Sequence, residues 1–370
     1  MGLVLSGGGA RGAYQAGAAR AIGEIAADLG VPAPFRAIAG VSAGAINAAF
    51  LGAFGHDFLG GARRLCELWG GLRPDMVYDT SPLSLGRIGA RWMRTLTVSP
   101  VIGGAPATAL LDTSPLRRLL AETVPFTSLR RNVAQGVLTG VALTATDYAS
   151  TRTVTFYEAA GRIRPWKRRR RVGQEVTLGV EHVMASSAIP IFFEPVEVDG
   201  AFYGDGCLRN TAPLSPAIHL GADRLIVVGV RRRPGPHDDA AWPVRPTIAR
   251  ILGVLLNAVF FDAVDYDVER LHGVNRMLEV TGMVPAGAPA RPIELLSIQP
   301  SEDLGHIATD EVSHLPRVVR YLLRGMGSPE EASEVISYLS FEATYTTRLL
   351  ALGYKDAMEV RGQVEAFLGR

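Results

Sequence analysis

The sequence predicts an α/β protein in which a mostly parallel sheet is covered by helices on both faces, with a helical carboxyl-terminal part. Short apolar strands alternate with helix-prone segments through about residue 300, and only helical patterns follow. Two early strands lead directly into glycine-containing turns and then into helices. Strands that alternate with helices are joined by crossover connections, which favours a three-layer sandwich around a parallel sheet.

The first element is an apolar strand, Leu3 to Leu5, which runs into a glycine-rich loop. Apolar residues then recur at helical spacing from Tyr14 to Leu29, so the order is strand, loop and amphipathic helix. The loop offers a row of backbone N–H donors. It consists of Gly7, Gly8, Gly9, Ala10, Arg11 and Gly12.

Residues 7–12 also match the dinucleotide fingerprint G-x-G-x-x-G. A dinucleotide site requires an acidic residue at the end of the second strand, but the second strand, Phe35 to Val41, ends at Ser42. A P-loop requires Gly-Lys-Ser/Thr after the glycines, whereas Arg11-Gly12-Ala13 stands here. The loop is therefore better explained as a set of donors that serve Ser42 than as a phosphate cradle.

The second strand leads into Gly40-Val41-Ser42-Ala43-Gly44, which matches the nucleophile-elbow pattern G-x-S-x-G. In that pattern, a sharp strand-to-helix turn pushes the serine side chain toward a substrate. The flanking glycines allow tight packing, and the small Ala43 allows the next helix to start close by, where its N–H groups can stabilise an oxyanion. Because glycine is abundant in this chain, the pattern alone leaves a plain strand–loop–helix connection open.

A nucleophilic serine requires a base, most often a histidine that a carboxylate holds. None of the seven histidines stands in a glycine-framed turn or beside another candidate catalytic residue. Asp205 stands between two glycines and follows a predicted hairpin over 195–203, whose turn is Asp199-Gly200. An aspartate in that position can approach another backbone closely and accept the serine proton directly. The alternative is a plain Asp-Gly turn.

Further strands are predicted at 137–144, 153–157, 225–230 and 293–299. In a parallel sheet, functional sites lie at the carboxyl ends of the strands, where the glycine loop and Ser42 both fall. A helix is predicted to start near Pro115 with Thr113 or Ser114 as its cap, and residues 328–331 match a capping box.

Composition is typical of one large domain. With 370 residues, 48% of them hydrophobic, the chain can bury a large core. Two cysteines, Cys66 and Cys207, cannot form a disulfide framework, and a first strand at Leu3 leaves no room for a signal peptide, so we expect a cytoplasmic location. The apolar run 248–261 is too short to span a bilayer. It is expected to be a buried or interface helix, and contact with a lipid or with a partner subunit in a homo-oligomer stays open.

The net charge is only +2, but basic residues cluster around Trp166 and at 231–233. One interpretation is a solvated loop that protects a strand edge from aggregation. The other is a surface for anionic phospholipid headgroups, which would place the protein at the inner face of the membrane. Nucleic acid is not an expected partner, because no binding motif accompanies the arginines. The candidate surface consists of Arg162, Arg164, Lys167, Arg168, Arg169, Arg170 and Arg171.

Together these segments resemble the bacterial patatin-like phospholipases, lipid acyl hydrolases that use a Ser-Asp dyad without histidine. The glycine loop, the elbow 40–44 and the base motif Asp205-Gly206-Cys207 appear in the family's order. Residues 185–195 also resemble the family's segment before the aspartate. The resemblance covers roughly residues 1–230 and, more loosely, the remainder. Cys207 is a departure, since glycine or alanine usually follows Asp-Gly in the family.

The resemblance implies a catalytic domain over residues 1–300 and a helical extension over 301–370 that packs on it. It implies a phospholipid or another acyl ester as substrate, with no metal or cofactor. An acyltransferase that uses the same dyad and a non-catalytic lipid-binding regulatory protein are the two alternatives.

The resemblance also implies the role of each site residue. Asp205 would draw the proton from Ser42, which would attack the acyl ester, while the N–H groups of Gly8 and Gly9 would hold the oxyanion. Water activated by Asp205 would then release the fatty acid. Arg11 would either fix the glycine loop or meet a lipid phosphate.

Overall fold

The structure, a computed structural model, describes most of the chain. Arg162 and Arg233 of the basic clusters lie outside the described residues, as does Phe261 of the apolar run. The described residues are 1–79, 81, 86, 89–90, 108–161, 163–232, 247–260, 262–281, 292–311, 320, 327–328 and 330–369.

The strands are short and begin at residue 2. They are β1 (Gly2–Leu5), β2 (Ala37–Val41), β3 (Ala109–Leu111), β4 (Gly140–Asp147), β5 (Thr153–Ala159), β6 (Arg171–Glu175), β7 (Ile191–Phe193), β8 (Val196–Val198), β9 (Ala201–Asp205), β10 (Arg224–Val228) and β11 (Glu294–Ile298).

Nine of these strands form one sheet, whose main path runs β11-β10-β1-β2-β4-β5-β6. All neighbours from β11 to β4 are parallel. β5 is antiparallel to β4, and β9 pairs antiparallel with the end of β4 that extends beyond β2. β8 completes a hairpin with β9, while β3 and β7 pair in a separate parallel ribbon. The mostly parallel sheet confirms the predicted fold class.

The helices flank this sheet, and short 3-10 turns at Gly9–Arg11 and Gly206–Leu208 follow β1 and β9. The helices are α1 (Gly12–Asp28), α2 (Ala43–Ala53), α3 (Phe58–Gly70), α4 (Pro74–Val77), α5 (Ser114–Thr123), α6 (Phe126–Ala134), α7 (Val180–Ser186), α8 (Ser215–His219), α9 (Ile248–Phe260), α10 (Asp262–Thr281), α11 (Leu304–Asp310), α12 (Ser333–Leu339), α13 (Ala343–Glu359) and α14 (Arg361–Leu368).

Two apolar cores lie on opposite faces of the sheet, because successive residues of a strand point to opposite sides. Leu3 and Leu5 of β1 join the larger core, which includes side chains of α1, α2, α3, α12 and α13. Val4 joins the smaller core, beneath α8 and α10. The described elements therefore form three layers, as predicted.

The predicted hairpin is present, with its turn at Asp199 and Gly200. Val198 pairs with Ala201, and both turn residues have positive φ angles, 49° and 79°. Two central residues of positive φ define a type I′ turn, whose twist matches that of the flanking strands. The turn delivers β9 antiparallel to the end of β4 and so brings Asp205 to the carboxyl edge of the parallel strands.

The helix caps agree with the sequence only in part. α5 starts at Ser114 as expected, but Thr113 makes no capping hydrogen bond through its side chain. Instead, Asp112 Oδ1 accepts from the Ser114 N–H at 2.8 Å. The predicted capping box is present, since Ser328 N–H donates to Glu331 Oε2 at 3.2 Å and Glu331 N–H donates to Ser328 Oγ at 3.3 Å.

α9 corresponds to the apolar run of the sequence. Ala249, Gly253 and Phe260 are buried, whereas an exposed stripe carries Ile248 and Leu255, which are 66% and 58% exposed. No helix among the described residues combines the length and the apolar character that crossing a bilayer requires.

Candidate active site

Ser42 lies in a sharp turn between β2 and α2. Its backbone angles are φ 57° and ψ −128°, a left-handed conformation that side chains rarely adopt and that costs about 1–3 kcal/mol. The flanking glycines are required by close approach: a Cβ on Gly40 would overlap the carbonyl group of Gly44, and a Cβ on Gly44 would overlap that of Leu5. The pattern G-x-S-x-G therefore has the strand–turn–helix geometry of a nucleophile elbow.

Two serines at the end of α7 hold the main chain of Ser42. Ser186 Oγ accepts from the Ser42 N–H at 3.1 Å and donates to the Thr144 carbonyl at 2.6 Å. The Ser187 hydroxyl lies within donating distance of the Ser42 carbonyl, at 3.1 Å, and of the Val183 carbonyl of its own helix, at 2.9 Å. These contacts give a physical role to the serines of segment 185–195, because they brace a strained turn from the neighbouring helix.

Asp205 ends β9 and is fully buried. Its N–H donates to the Ala188 carbonyl at 2.9 Å, and its carbonyl accepts from Thr146 Oγ1 at 2.9 Å. The carboxylate oxygen Oδ1 accepts from the Cys207 N–H at 2.9 Å. Oδ2 makes no hydrogen bond of ordinary geometry within the described part of the chain. One oxygen of this carboxylate is therefore held, and the other is left for a further donor.

The carboxylate of Asp205 and the hydroxyl of Ser42 are near neighbours. Burial raises the pKa of Asp205 to about 6, while the Ser42 hydroxyl and the amide and thiol of Cys207 act in the opposite direction. The ordinary value is 3.8. A carboxylate with a raised pKa is a stronger base, and hydrogen bonds between catalytic groups often tighten only when substrate is bound.

Cys207 fits the site despite its departure from the family pattern. Its side chain is buried, and the thiol lies so close to Gly7 that a Cβ there would overlap it. Burial raises the pKa of the Cys207 thiol well above its usual value, and the charge of Asp205 raises it further. The thiol therefore remains protonated and serves as a small packing group between the glycine loop and Asp205.

The glycine loop lies beside Ser42 at the start of α1. Gly9 and Ser42 line the same cavity. Among the described residues, no hydrogen bond uses the N–H of Gly8 or Gly9 as its donor. The Arg11 side chain does not line that cavity and is only 3% exposed. Of the two sequence-based roles for Arg11, this burial favours fixing the loop over meeting a lipid phosphate.

A buried chain of amide side chains supports the loop from below, and sequence analysis did not single it out. Trp69 Nε1 donates to Asn47 Oδ1 at 2.8 Å, and Asn47 Nδ2 donates to Gln15 Oε1 at 3.0 Å and to the Gly12 carbonyl at 2.9 Å. Gln15 Nε2 donates to the Ser6 carbonyl at 2.8 Å. The available signal was Gln15 among the apolar residues at the start of α1 and Asn47 in the otherwise apolar α2, since buried polar groups persist where they are fully hydrogen-bonded.

An apolar cavity adjoins Ser42, and its walls are almost entirely hydrocarbon. Such walls accept a hydrocarbon chain and no charged group. The apolar side chains that line it are Ile46, Leu68, Trp69, Leu72, Val77, Leu116, Leu119, Leu120, Ile189, Phe193 and Phe341.

No histidine among the described residues lines this cavity. The imidazole of His182 packs against Phe156, and its Nδ1 accepts from the Gly179 N–H at 3.1 Å. His219 stacks on Trp166, with ring centroids 4.4 Å apart. These two histidines occupy packing positions rather than the environment of Ser42.

The basic segment differs from its sequence interpretation in two respects. A membrane-binding surface here would place Trp166 at the lipid interface, but Trp166 is buried between Tyr157 and His219, with ring centroids 4.7 and 4.4 Å away. Arg171 is half-buried and begins the edge strand β6, which the polar sequence did not predict. The side chains that remain exposed are those of Arg164, Lys167, Arg168, Arg169 and Arg170.

The sequence model of the family described as Patatin-like phospholipase matches residues 3–218. This chain belongs to the patatin-like phospholipase family. The matched segment contains the glycine loop, the elbow and Asp205. A comparison with curated proteins found no match.

The solved structures that are similar to this chain include VipD and ExoU. VipD from Legionella pneumophila is 14% identical, with 98% of this chain and 66% of VipD covered and a TM-score of 0.36. The type III effector protein ExoU is 12% identical, with 98% of this chain and 53% of ExoU covered and a TM-score of 0.37. A structure of full-length ExoU in complex with SpcU, from the type III secretion system of Pseudomonas aeruginosa, is 14% identical. It covers 98% of this chain and 52% of that chain, with a TM-score of 0.31. The chain spans about half to two thirds of the length of these proteins.

Proposed function

We propose that this protein is a lipid acyl hydrolase that cleaves carboxylic esters through Ser42 and Asp205. The observation that carries the proposal is the strained Ser42, which lines an apolar cavity and adjoins the buried carboxylate of Asp205. Membership of the patatin-like phospholipase family supports lipid as the substrate class.

In the first step, Asp205 Oδ2 takes the proton of the Ser42 hydroxyl while Ser42 Oγ attacks the acyl carbonyl carbon. The carbonyl oxygen becomes an oxyanion, for which the unengaged N–H groups of Gly8 and Gly9 are candidate donors. Electrostatic stabilisation of this kind is usually the largest single contribution to such a reaction. The C–O bond then breaks, the alcohol leaves with the proton from Asp205, and the acyl chain stays on Ser42.

In the second step, Asp205 takes a proton from water, whose oxygen attacks the acyl carbonyl. The bond to Ser42 Oγ breaks, Ser42 regains its proton, and a fatty acid leaves. The apolar cavity would hold the acyl chain throughout both steps, so that each carbonyl stays beside the glycine loop.

The test is the release of fatty acid from vesicles of phosphatidylglycerol and phosphatidylcholine, followed by mass spectrometry with and without an added alcohol. Free fatty acid together with lysophospholipid is the expected result. Esterification of the alcohol in preference to fatty-acid release would instead identify an acyltransferase. Vesicle binding with neither product nor labelling by a fluorophosphonate would indicate a non-catalytic lipid-binding protein.

Narrowing the cavity should change the preferred acyl length. Leu119 lines the cavity but is partly exposed, so Leu119→Trp can be accommodated without overfilling the core. If the larger side chain excludes about three methylene groups of a long acyl chain from the cavity, the lost burial is worth about 0.8 kcal/mol for each group. The kcat/KM for a long-chain ester should then fall roughly 50-fold. The measurement compares p-nitrophenyl palmitate with p-nitrophenyl butyrate, for which little change is expected. Arg118→Trp, an exposed position on the same helix, is the control.

We also propose that the exposed cations from Lys167 to Arg170 contact anionic headgroups. Reversal of Arg168 to Arg170 to glutamate should weaken binding to phosphatidylglycerol vesicles by at least about tenfold at low salt and by less at high salt. Hydrolysis of a short soluble ester should be unchanged, because Ser42 and Asp205 lie elsewhere. Vesicle co-sedimentation over a salt series measures the effect.

A matched control reverses Arg130, Arg131 and Lys355, which are exposed residues of α6 and α13. Both triple variants change the net charge equally. Equal loss of vesicle binding in the two variants would show that net charge alone acts, and unchanged binding in the first would leave this segment as a solvated strand edge.

A further inference from the structure

We propose that Glu334 and Ser337 of α12 are positioning residues for the glycine loop and act through Arg11, so that the carboxyl-terminal helices complete the active site. This inference rests on the proposed function, because it concerns donors of the same reaction. It adds residues far outside the segment 3–218 to the catalytic machinery.

The contacts of Arg11 converge on α12. Its Nη2 donates to Glu334 Oε2 at 2.6 Å and to Ser337 Oγ at 2.6 Å, and its Nε donates to Ser337 Oγ at 2.9 Å. Its guanidinium also lies over the Tyr338 ring, 5.2 Å from the centroid. An arginine held through two nitrogens and one ring face is fixed in direction as well as in place.

Ser337 is oriented for this contact by its own helix. Its hydroxyl donates to the Glu334 carbonyl at 2.6 Å, so the lone pairs of Oγ are directed to the guanidinium. Burial lowers the pKa of Arg11, but the charge of Glu334, the nearby Tyr338 and Tyr345 and the hydrogen bond to Glu334 together outweigh burial, and the net pKa lies above the ordinary value. Arg11 therefore remains charged inside the protein and requires its partners on α12.

The backbone of α12 also touches the loop directly. Gly9 has a φ of 57°, and a Cβ there would overlap the Tyr338 carbonyl oxygen. On the opposite side of the loop, a Cβ on Gly7 would lie 3.0 Å from the Ser42 Cβ. The loop is thus packed between α12 and the candidate nucleophile, and any displacement of Arg11 must move the N–H groups of Gly8 and Gly9 relative to Ser42.

The same carboxyl-terminal segment reaches the cavity and the first helix. Phe341 lines the cavity beside Ser42. Tyr78 Oη donates to the Leu339 carbonyl at 3.2 Å, and Tyr14 Oη donates to Asp356 Oδ2 at 3.0 Å. We infer that the extension expected at 301–370 packs on the catalytic domain as a working part of its site.

The test measures kcat and KM separately for Glu334→Gln and Ser337→Ala with soluble p-nitrophenyl butyrate. Oxyanion donors stabilise mainly the transition state. Their displacement should therefore lower kcat by about 10- to 100-fold while KM stays within about twofold. Ser337→Thr retains the hydroxyl and should retain most of the activity. Asp310→Asn removes an exposed partner of Arg348 in the same part of the chain and should have no effect.

Circular dichroism and thermal unfolding of each variant separate misplacement from loss of fold. Retained kcat in both folded variants, or a loss that Asp310→Asn reproduces, would overturn the inference and leave the proposed function standing. A loss confined to variants that no longer fold would also overturn it, since the role would then be structural only. A wild-type protein that neither hydrolyses esters nor reacts with a fluorophosphonate would overturn the proposed function and this inference with it.

Discussion

Ser42→Ala is expected to abolish ester hydrolysis. Alanine retains the Cβ and the packing of the elbow but removes the only atom that can form the acyl-enzyme, so turnover should fall by roughly 10³-fold or more. A fluorophosphonate should label the wild-type protein at residue 42 and leave the variant unlabelled. Ser150→Ala, which changes an exposed turn serine, is the control and should behave as wild type.

The strained backbone offers a second readout at the same position. Ser42→Gly also lacks the hydroxyl and should be as inactive as Ser42→Ala. Because residue 42 has a positive φ, which glycine adopts without strain, Ser42→Gly should be more stable than Ser42→Ala by about 1 kcal/mol. Chemical denaturation measures the difference. Labelling at another serine with activity intact in Ser42→Ala would remove Ser42 from its proposed role.

Asp205→Asn is expected to be folded and nearly inactive, because an amide cannot accept the proton of Ser42. The loss should approach that of Ser42→Ala, since the two groups act as one unit. Single replacement of each histidine should leave substantial activity. A folded histidine variant as inactive as Ser42→Ala would instead indicate a conventional triad.

The same substitution should stabilise the protein at neutral pH. The carboxyl of Asp205 has a pKa of about 6 in the folded protein against an ordinary 3.8, so the folded state binds this proton more tightly than the unfolded chain does. Stability is therefore lost as pH rises from about 4 to about 6, and the full loss, on the order of 3 kcal/mol, persists above pH 6. The amide that replaces the carboxyl in Asp205→Asn carries no charge, so the variant should unfold at higher temperature than wild type at pH 7 and match it at pH 3.5.

Activity of the wild-type protein should follow the opposite trend with pH. Asp205 acts as a base only when ionised, so kcat/KM should rise through a midpoint near pH 6 and then level off. The acidic limb of the pH profile for a soluble ester measures this midpoint. A profile that is flat from pH 4.5 to 8 would contradict Asp205 as the base.

The parts of the fold and site that the sequence predicted are those that depend on neighbouring residues. The elbow around Ser42 requires glycines two residues away on each side, and the Asp199-Gly200 turn requires positive φ angles at adjacent positions. Both requirements leave a readable local pattern. The parallel sheet followed in the same way from the alternation of strand and helix.

The remaining features depend on partners that are remote in sequence. Arg11 meets Glu334 across 323 residues, and no local pattern records such a pairing. Trp166 stands among basic residues in the sequence, yet it is buried because His219, on another element, stacks on it. The edge strand β6 was missed because its residues are polar, and pairing with β5, rather than hydrophobic alternation, defines it.

The separation between Arg11 and its partners also matters during synthesis. Ribosomes add about 5–20 residues per second, so the 323 residues between Arg11 and Glu334 take roughly 15–65 s to translate. For most of that interval the nascent chain already carries Ser42, but Arg11 does not yet have Glu334 as its partner, and α12 is not yet present behind the glycine loop. If Glu334 and Ser337 position the loop as proposed, the enzyme reaches its full activity only after α12 has been synthesised, so lipid hydrolysis by the nascent chain stays slow until that helix has emerged.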